Sequence, residues 1–412
     1  MTPVYVAGVG MTPFGRHLDR AVHDLAREAV EDAISDARCG MADIGAAFYS
    51  GVTQGFLQEQ AAIPGHVVLS KVGIHSIPIY NVESACASGG TAFHLAIQTL
   101  RAGSTDVALV LGAEKMNVLD KGRAFSLFDA GWDVSRSDEY HQLLARMAQG
   151  LELPAGCETR TPASTFMAIA AALCRVHMKN YGTTQRQIAA VSAKNHGHSL
   201  HNPKAQVRKA FSVEEILAAP AVIYPLTVPM CAPLSDGAAA AILCNEEGLR
   251  RIGADRGRCV RVSASVLRSF GRRRLDQPEL HVARLAARQA YEEAGLGPED
   301  IGVAEVHDAT AMGEILQIEN LGFVSPGEGG AAEERGEFAL GGRLPVNPSG
   351  GLESKGHPLG ATGLGQVYEL TTQLRGEAGA RQVPRLRHAL QENDGGFQGV
   401  EEAAVSVNIF SR

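Results

Sequence analysis

The sequence has 412 residues, of which 45% are hydrophobic and 20% charged, so it can build a large core and exceeds the usual length of one domain. The formal net charge of -7 and the lack of a long Lys/Arg run argue against nucleic acid as a partner, and no apolar stretch approaches the ~18 residues of a membrane span. Seven irregularly spaced cysteines without a C-x-x-C pair suggest neither a zinc ribbon nor a disulfide framework, and the N-terminus is unlike a signal peptide, which predicts a cytoplasmic protein.

The first part of the chain is predicted to alternate strands and helices. Residues 4–9 form a buried strand, and a helix with a face of alanines follows. A D-I-G turn at 43–45 then leads into an apolar run at 46–49. A strand at 77–82 precedes a turn of small residues around Cys86, and this turn opens an alanine-rich helix.

The middle of the chain, residues 119–232, has a different character. Polar loops and an alanine-rich helix dominate it, and the spacing of His196, His198 and His201 could suggest a metal site. No carboxylate or cysteine accompanies these histidines, so we interpret them as part of a solvated loop. Residues 233–250 then read as a turn and a buried strand that returns to the first sheet.

The second half of the chain repeats the first half in outline. A strand at 260–266 is followed by an alanine-faced helix and by a second D-I-G turn at 300–302. The turn at His357 opens a helix, as the turn at Cys86 does, and each turn is expected to follow a strand. Three matched landmarks in one order favour a true repeat over chance. We therefore predict an N-terminal half at 1–118 and 233–257, a loop domain at 119–232 and a C-terminal half at 258–412.

Cys86 lies between a predicted strand and a predicted helix, in the sequence E-S-A-C-A-S-G-G. The free backbone N–H groups and the dipole at a helix start favour a thiolate. The small neighbours leave room for a substrate carbonyl, and the N–H group of Cys86 could help to bind an oxyanion. A buried structural cysteine is the alternative, but the small-residue turn favours a nucleophile.

Two histidines have local sequences that suggest a role beside this nucleophile. His357, between glycine and proline, cannot lie within a helix or strand, and we interpret it as a base that takes the thiol proton and returns it. His307 follows a predicted strand, where α/β sheets place functional residues, and its N–H could donate to a developing oxyanion. Its neighbour Asp308 could orient the histidine or its loop. A histidine buried in the core is the alternative in both cases.

The last motif is the segment 392–399, E-N-D-G-G-F-Q-G, which precedes the terminal strand. Its composition predicts a hairpin turn. A turn with so many small residues could also allow a backbone N–H to point into a site.

The order and spacing of Cys86, the two histidine motifs and the glycine-rich segment resemble those of the thiolase superfamily over essentially the whole chain. The segment 224–233 and the H-D motif at His307 look closest to the sterol-carrier-protein-X branch. The resemblance implies a five-layered αβαβα fold of two related halves with an inserted loop domain. It implies that Cys86 accepts the acyl group, that His357 activates it, and that His307 and His357 hold the thioester oxygen of the second substrate. The N–H groups of Cys86 and Gly395 would form the other oxyanion hole.

The sequence departs from this family at one place. Thiolases that condense two acyl-CoA molecules usually carry a second cysteine in the terminal turn, where this chain has Asn393. Sterol-carrier-type relatives often place that cysteine after the H-D pair, where this chain has Ala309. Acylation of Cys86 is therefore expected, but the second half-reaction is left open. Either His307 or His357 doubles as the base, or the acceptor arrives already nucleophilic.

The resemblance thus implies a ping-pong acyl-CoA acyltransferase that performs acyl transfer, Claisen condensation or thiolysis of a 3-ketoacyl-CoA. It implies coenzyme A thioesters as substrates, no tightly bound cofactor, no metal, and a homodimer or tetramer. Two alternatives stay open: a ketosynthase that uses carrier-protein substrates, and a thiolase-fold lyase or non-catalytic subunit of a larger complex. Some relatives work with a small zinc-ribbon/OB-fold protein, so such a partner is also considered.

Overall fold

A computed structural model describes residues 2–151, 153–155, 157 and 164–412. Its strands are β1 Val4–Met11, β2 Ala46–Ser50, β3 Ile79–Val82, β4 Val107–Glu114, β5 Ala221–Ile223, β6 Leu226–Thr227, β7 Gly237–Asn245, β8 Val260–Ser269, β9 Val303–Glu305, β10 His388–Gln398 and β11 Glu401–Ser411. Its helices are α1 Val22–Ala37, α2 Gln54–Leu57, α3 Pro64–Val72, α4 Ser88–Arg101, α5 Lys121–Ser126, α6 Ser137–Met147, α7 Thr165–Tyr181, α8 Gln185–Ser199, α9 Val213–Ala218, α10 Glu246–Arg251, α11 Val282–Ala294, α12 Ala311–Asn320, α13 Gly329–Glu334, α14 Gly351–Lys355 and α15 Leu359–Arg375.

A continuous sheet in the described chain has the strand order β3-β2-β4-β7-β1-β8-β11-β10-β9. The first five strands form one half-sheet and the last four form the other. The two half-sheets join where Val4–Val6 of β1 pair antiparallel with Val260–Val262 of β8. Strand β7 enters between β4 and β1, so the predicted return of the chain to the first sheet is confirmed.

The layers follow from which helices cover which face. Helices α4 and α15 pack against each other and contact strands of both half-sheets, so they form the central layer. Helix α1 covers the outer face of the first half-sheet, and α11 covers the outer face of the second. Because their buried faces are rich in alanine, these helices can approach the strands closely. The five-layered αβαβα arrangement is therefore confirmed.

Glycines allow the two central helices to approach each other at their starts. A Cβ atom on Gly363 of α15 would lie 2.6 Å from the backbone nitrogen of Gly90 in α4. A Cβ atom on Gly89 would lie 3.1 Å from the carbonyl oxygen of Gly360. Any side chain here would push the helices apart, and with them the turns that carry Cys86 and His357.

The internal repeat is visible element by element. Strand β1, helix α1, a short 3-10 helix at Met41–Asp43 and strand β2 match strand β8, helix α11, a 3-10 helix at Pro298–Asp300 and strand β9. Helices α4 and α15 continue the match. One expectation is wrong: the turn at His357 follows the short helix α14 and not a strand.

The insertion between β4 and β7 is more helical than its polar sequence suggests, since it carries helices α5 to α9 and the β5–β6 pair. The expectation of a solvated histidine loop is wrong for His196 and His198, whereas His201 lies exposed in the turn after α8. His196 and His198 lie on α8, where both are buried, and they donate hydrogen bonds to the carbonyl oxygens of Pro229 and Asn347, respectively. The insertion includes residues 152, 156 and 158–163, which lie outside the described residues, and the boundaries at 119 and 232 stay predictions.

The glycine-rich segment 392–399 also differs from its predicted hairpin turn. Strand β10 continues through it as far as Gln398 and pairs with β11 from His388 onward. The turn follows at Gly399, which has a φ of 68°. The segment therefore forms a wall of extended backbone beside the Cys86 turn, and its pairing with β11 holds it there.

Candidate active site

Cys86 lies on a tight turn between β3 and α4. The residue before it, Ala85, has a φ of 48°, a left-handed conformation that costs energy for a residue with a side chain. Ser88 holds this turn, because its hydroxyl accepts from the N–H of Ser84 at 2.8 Å and donates to the carbonyl of Ala85 at 2.6 Å. Such a fixed, strained turn at a helix start presents one side chain to a cavity, as a nucleophile requires.

His357 reaches the same place from the other half of the chain. Its Nε2 atom lies 3.3 Å from Sγ of Cys86, although 271 positions separate the two residues. Its Nδ1 atom lies 2.7 Å from Oγ1 of Thr362, and that hydroxyl donates to the carbonyl of Pro358. The hydroxyl has only one proton, so Nδ1 must be the donor and Nε2 is free to accept the thiol proton.

The backbone around His357 is held by buried polar contacts. The N–H group of His357 donates to Oγ of Ser235 at 2.9 Å. Two residues earlier, the buried Lys355 donates to Glu305 at 2.9 Å and to Ser349 at 2.8 Å. The loop therefore cannot shift without breaking buried, charge-assisted hydrogen bonds.

Burial decides the charge state of this pair. It lowers the pKa of His357 well below its usual value, and the nearby His307 and Lys355 add to the effect. Protein surrounds the partly exposed Cys86 on most sides of its thiol, and this desolvation, with the charge of Asp394, raises the pKa of the thiol. The resting pair is therefore a neutral thiol beside a neutral imidazole, which corrects the expected thiolate at a helix start.

His307 stands beside His357, just after strand β9. The two rings meet edge to face with centroids 5.0 Å apart. Burial lowers the pKa of His307 to about 3, so its ring is neutral. The side-chain amide of Asn393 donates to Nδ1 of His307 at 3.3 Å, which leaves the proton on Nε2. The ring therefore carries an N–H donor at Nε2, and its contact with a substrate oxygen stays a prediction.

Asn393 has a structural reason for its place. Its amide also donates to the carbonyl of Cys86 at 3.1 Å, and its oxygen accepts from the N–H of Gly90 at 3.1 Å. One side chain thus ties the nucleophile turn and the start of α4 to His307. The position where many thiolases carry a thiol is occupied here by a group that positions its neighbours.

The remaining predicted residues lie around the same cavity. Ala309 and Gly395 line it together with Cys86 and His307. A Cβ atom on Gly395 would lie 2.6 Å from the backbone nitrogen of Cys86, so only glycine fits against the nucleophile turn. Asp308 accepts from the N–H of Leu352 at 2.7 Å, so it holds the loop and does not orient the His307 ring.

The sequence reasoning missed Asp394. It lines the cavity, of about 60 Å³, and its Oδ1 atom lies 3.7 Å from Nε2 of His307. The buried Gln317 donates to its other oxygen at 2.9 Å, and Glu402 lies on the same wall. Its position beside Asn393 in β10 was the available signal, but the predicted hairpin turn made the segment look exposed.

The same groups bear on the question of a metal. Sγ of Cys86 and one ring nitrogen of each histidine lie within 4.8 Å of one another, a spacing that suits either an ion or an acid–base trio. The contact from Nε2 of His357 to Sγ, with both Nδ1 atoms hydrogen-bonded to protein, favours the acid–base trio. The predicted lack of a metal stays a prediction.

Comparison with known proteins decides the family. The family model "Thiolase, N-terminal domain" matches residues 4–219, and the model "Thiolase C-terminal domain-like" matches residues 271–408. The chain belongs to the thiolase family. It is 38% identical over 415 residues to an acetyl-CoA acetyltransferase from Methanothermobacter thermautotrophicus, which covers 100% of both chains. It is 37% identical to sterol carrier protein 2 from Oryctolagus cuniculus, over 95% of this chain and 70% of the relative.

These relatives show that this thiolase is an acyl-CoA acyltransferase and confirm its resemblance to the sterol-carrier branch. Two solved structures are similar in fold. One, titled "Ltp2-ChsH2(DUF35) aldolase", has a TM-score of 0.77 at 23% identity and covers 99% of this chain and 97% of its own. Human mitochondrial 3-ketoacyl-CoA thiolase has a TM-score of 0.70 at 18% identity and covers 100% and 98%. Within the described residues, no helix has the length and apolarity to cross a membrane.

Proposed function

We propose that this enzyme carries its acyl group as a thioester on Cys86 and works by a ping-pong mechanism. The observation that carries this proposal is the 3.3 Å contact between Sγ of Cys86 and an Nε2 atom of His357 that is free to accept a proton. As the thiol attacks the carbonyl of an acyl-CoA, His357 takes its proton. When the tetrahedral intermediate collapses, the carbon–sulfur bond to coenzyme A breaks, and His357 gives the proton to the leaving thiolate.

The groups around the cavity supply the oxyanion sites of this mechanism. In the proposal, the N–H groups of Cys86 and Gly395 stabilise the oxyanion of the acyl-enzyme, and the Nε2–H group of His307 stabilises that of the second thioester. His357 joins His307 in this role only when its Nε2 carries a proton, since its Nδ1 proton is bonded to Thr362. The proximity of Gly395 to the Cys86 turn and the Nε2–H tautomer of His307 support these roles. No tightly bound cofactor is needed for these steps, since the substrates are coenzyme A thioesters.

The insertion is proposed to set substrate specificity. Phe166, Ala170 and Leu173 line the cavity together with His307, and all three belong to α7 within residues 119–232. Their apolar side chains suit the hydrocarbon part of an acyl group. Substitution of Leu173 by alanine is expected to shift the preferred acyl length upward, measured as relative rates over a series of acyl-CoAs.

The test of the acyl-enzyme is intact mass after incubation with a panel of acyl-CoAs. Wild type should gain the mass of one acyl group, and peptide mapping should place it on Cys86. Cys86→Ser should take up no thioester label. The control Cys231→Ser should label like wild type, because the thiol of Cys231 only donates a hydrogen bond to the Thr227 carbonyl. Label on another cysteine would contradict the proposal. A parallel incubation with an acyl-carrier protein separates this reading from a ketosynthase.

A thiolase-fold lyase with a partner is the second candidate. The observation that favours it is Asn393, where condensing thiolases carry a thiol, and the similar aldolase has a title that joins Ltp2 to ChsH2(DUF35). A small zinc-ribbon/OB-fold partner is compatible with this candidate. If the purified chain cleaves a β-hydroxyacyl-CoA without labelling Cys86, the lyase replaces the acyltransferase. The homodimer or tetramer, checked by light scattering, and the cytoplasmic location stay proposals.

A further inference from the structure

Asp394 is a buried carboxyl group on the wall of the catalytic cavity. It lies on β10 between Asn393, which binds the Cys86 turn, and Gly395, which packs against it. Its Oδ1 atom is 3.7 Å from Nε2 of His307, and its Oδ2 atom accepts from Gln317 at 2.9 Å. The carboxyl group is thus fixed beside His307, which in the proposed function stabilises the oxyanion of the second thioester.

The surroundings of Asp394 leave its charge uncompensated. Burial raises its pKa well above the usual value, and the carboxyl groups of Glu392 and Glu402 raise it further. In the described part of the chain, no lysine or arginine forms an ion pair with these three carboxyl groups. Their histidine contacts are His307 for Asp394 and His281 for Glu402, and burial lowers the pKa of both rings to about 3, so neither supplies a positive charge. Because burial raises its pKa, the Asp394 carboxylate binds a proton more tightly than an exposed aspartate and is the stronger base.

The other groups of the site are less suited to take a proton from carbon. Nε2 of His357 lies 3.3 Å from Sγ of Cys86, which carries the acyl group at this stage, so it faces the leaving sulfur. Nε2 of His307 carries a proton, because Asn393 donates to Nδ1. The amide of Asn393 is not a base. Among the titratable side chains that line the cavity, this leaves Asp394, with Glu402 as the competing group.

We propose that Asp394 is the acid–base residue of the second half-reaction and does the work of the thiol that is absent at Asn393 and Ala309. This inference rests on the proposed acylation of Cys86. It identifies the acceptor as a carbon acid, namely the α-carbon of a second acyl-CoA, and it does not need His307 or His357 to double as the base.

The step balances as follows for condensation. The Asp394 carboxylate takes a proton from the α-carbon, and the resulting enolate attacks the thioester carbonyl on Cys86 to form a carbon–carbon bond. The carbon–sulfur bond then breaks and releases the Cys86 thiolate, which regains a proton as Asp394 gives up the one it took. In thiolysis the steps reverse, and protonated Asp394 gives its proton to the enolate carbon as the carbon–carbon bond breaks.

The test separates the two half-reactions. The acyl-CoA that loads Cys86 best is incubated in D₂O, and deuterium uptake at its α-carbon is followed by mass spectrometry with intact-mass measurement of acyl-Cys86. Asp394→Asn should still load Cys86, but α-deuterium exchange and condensation should fall by about 10²- to 10⁴-fold, the usual contribution of a general base. Asp394→Glu, which keeps the carboxyl group, should recover part of the exchange and guards against a folding defect.

The outcomes are distinguishable. If wild type does not load Cys86, the proposed function fails. If Cys86 loads and Asp394→Asn exchanges deuterium at the wild-type rate, or if loaded wild type exchanges none, the inference about Asp394 is wrong. If Glu402→Gln abolishes exchange while Asp394→Asn does not, Glu402 is the base instead.

Discussion

The two walls of the active site treat buried charge in opposite ways. Behind His357, Lys355 and Glu305 form an ion pair at 2.9 Å, and Ser349 satisfies further atoms of both groups. Behind His307, Glu392 and Asp394 are buried without a cation, and Oε1 of Glu392 has no hydrogen-bond partner. The first wall resembles a scaffold, since the charges of Lys355 and Glu305 balance each other. At the second wall, the buried carboxyl groups lack a compensating cation. Natural proteins tolerate such an energetic cost chiefly at functional sites.

The largest effect should come from removing the ion pair between Lys355 and Glu305. Lys355→Met leaves Glu305 buried and unpaired, so it should lower the free energy of unfolding by about 3–5 kcal/mol. Urea denaturation followed by circular dichroism measures this loss. Lys71→Met, at an exposed lysine on α3, is the matched control and should leave the midpoint unchanged. Equal midpoints for the two variants would contradict the comparison.

A smaller effect should follow from loosening His357 without changing charge. Thr362→Val removes the acceptor for Nδ1, so the ring loses its fixed tautomer. The loss of one hydrogen bond of about 1.4 kcal/mol should slow acylation of Cys86 about tenfold. Stopped-flow acylation over a range of acyl-CoA concentrations should show a lower maximal rate with an unchanged half-saturation concentration. Thr362→Ser should restore the rate, and a loss of binding alone would argue against a positioning role.

The buried carboxyl groups behind His307 should make the free energy of unfolding depend on pH. Burial, the largest cause, raises the pKa of Glu392 from 4.5 to about 8. The folded state therefore holds this proton more tightly than the unfolded chain, so the contribution to stability is fully present below about 4.5 and is lost as the pH rises through about 8. Glu392→Gln keeps the acceptor for the N–H of His307 and should flatten this decline. Unfolding midpoints at several pH values provide the measurement. If the midpoint of Glu392→Gln falls with pH as steeply as that of wild type, Glu392 does not cause the decline.

The smallest effect should come from an ion pair outside both walls. Arg274 and Asp276 pair at 3.0 Å on an exposed loop. Exposed pairs contribute little because water and salt screen them. Asp276→Asn should therefore leave both the unfolding midpoint and the acylation rate unchanged. A measurable loss of either would contradict the expected difference between buried and exposed ion pairs.

Much of the fold was predictable because it depends on local patterns. The strand at β1, the alanine-faced helices and the repeat follow from apolar periodicity and small residues. The histidines on α8 were misread, because their Asn, Gly and Ser neighbours suggested a loop. Tertiary contacts at Pro229 and Asn347 outweigh that local preference. The segment 392–399 was misread for a related reason, since pairing with β11 keeps a glycine-rich sequence extended.

The sequence by itself determined where the reactive groups could be. The small residues around Cys86 and the Gly–His–Pro setting of His357 restrict their own backbones, and these are local properties. Tertiary structure alone decided that the two side chains meet at 3.3 Å across 271 positions. It also decided that Asp394 faces the cavity and that both histidines are neutral. The reason is that distance and desolvation depend on how distant segments pack, and no local pattern encodes how much water a folded site excludes.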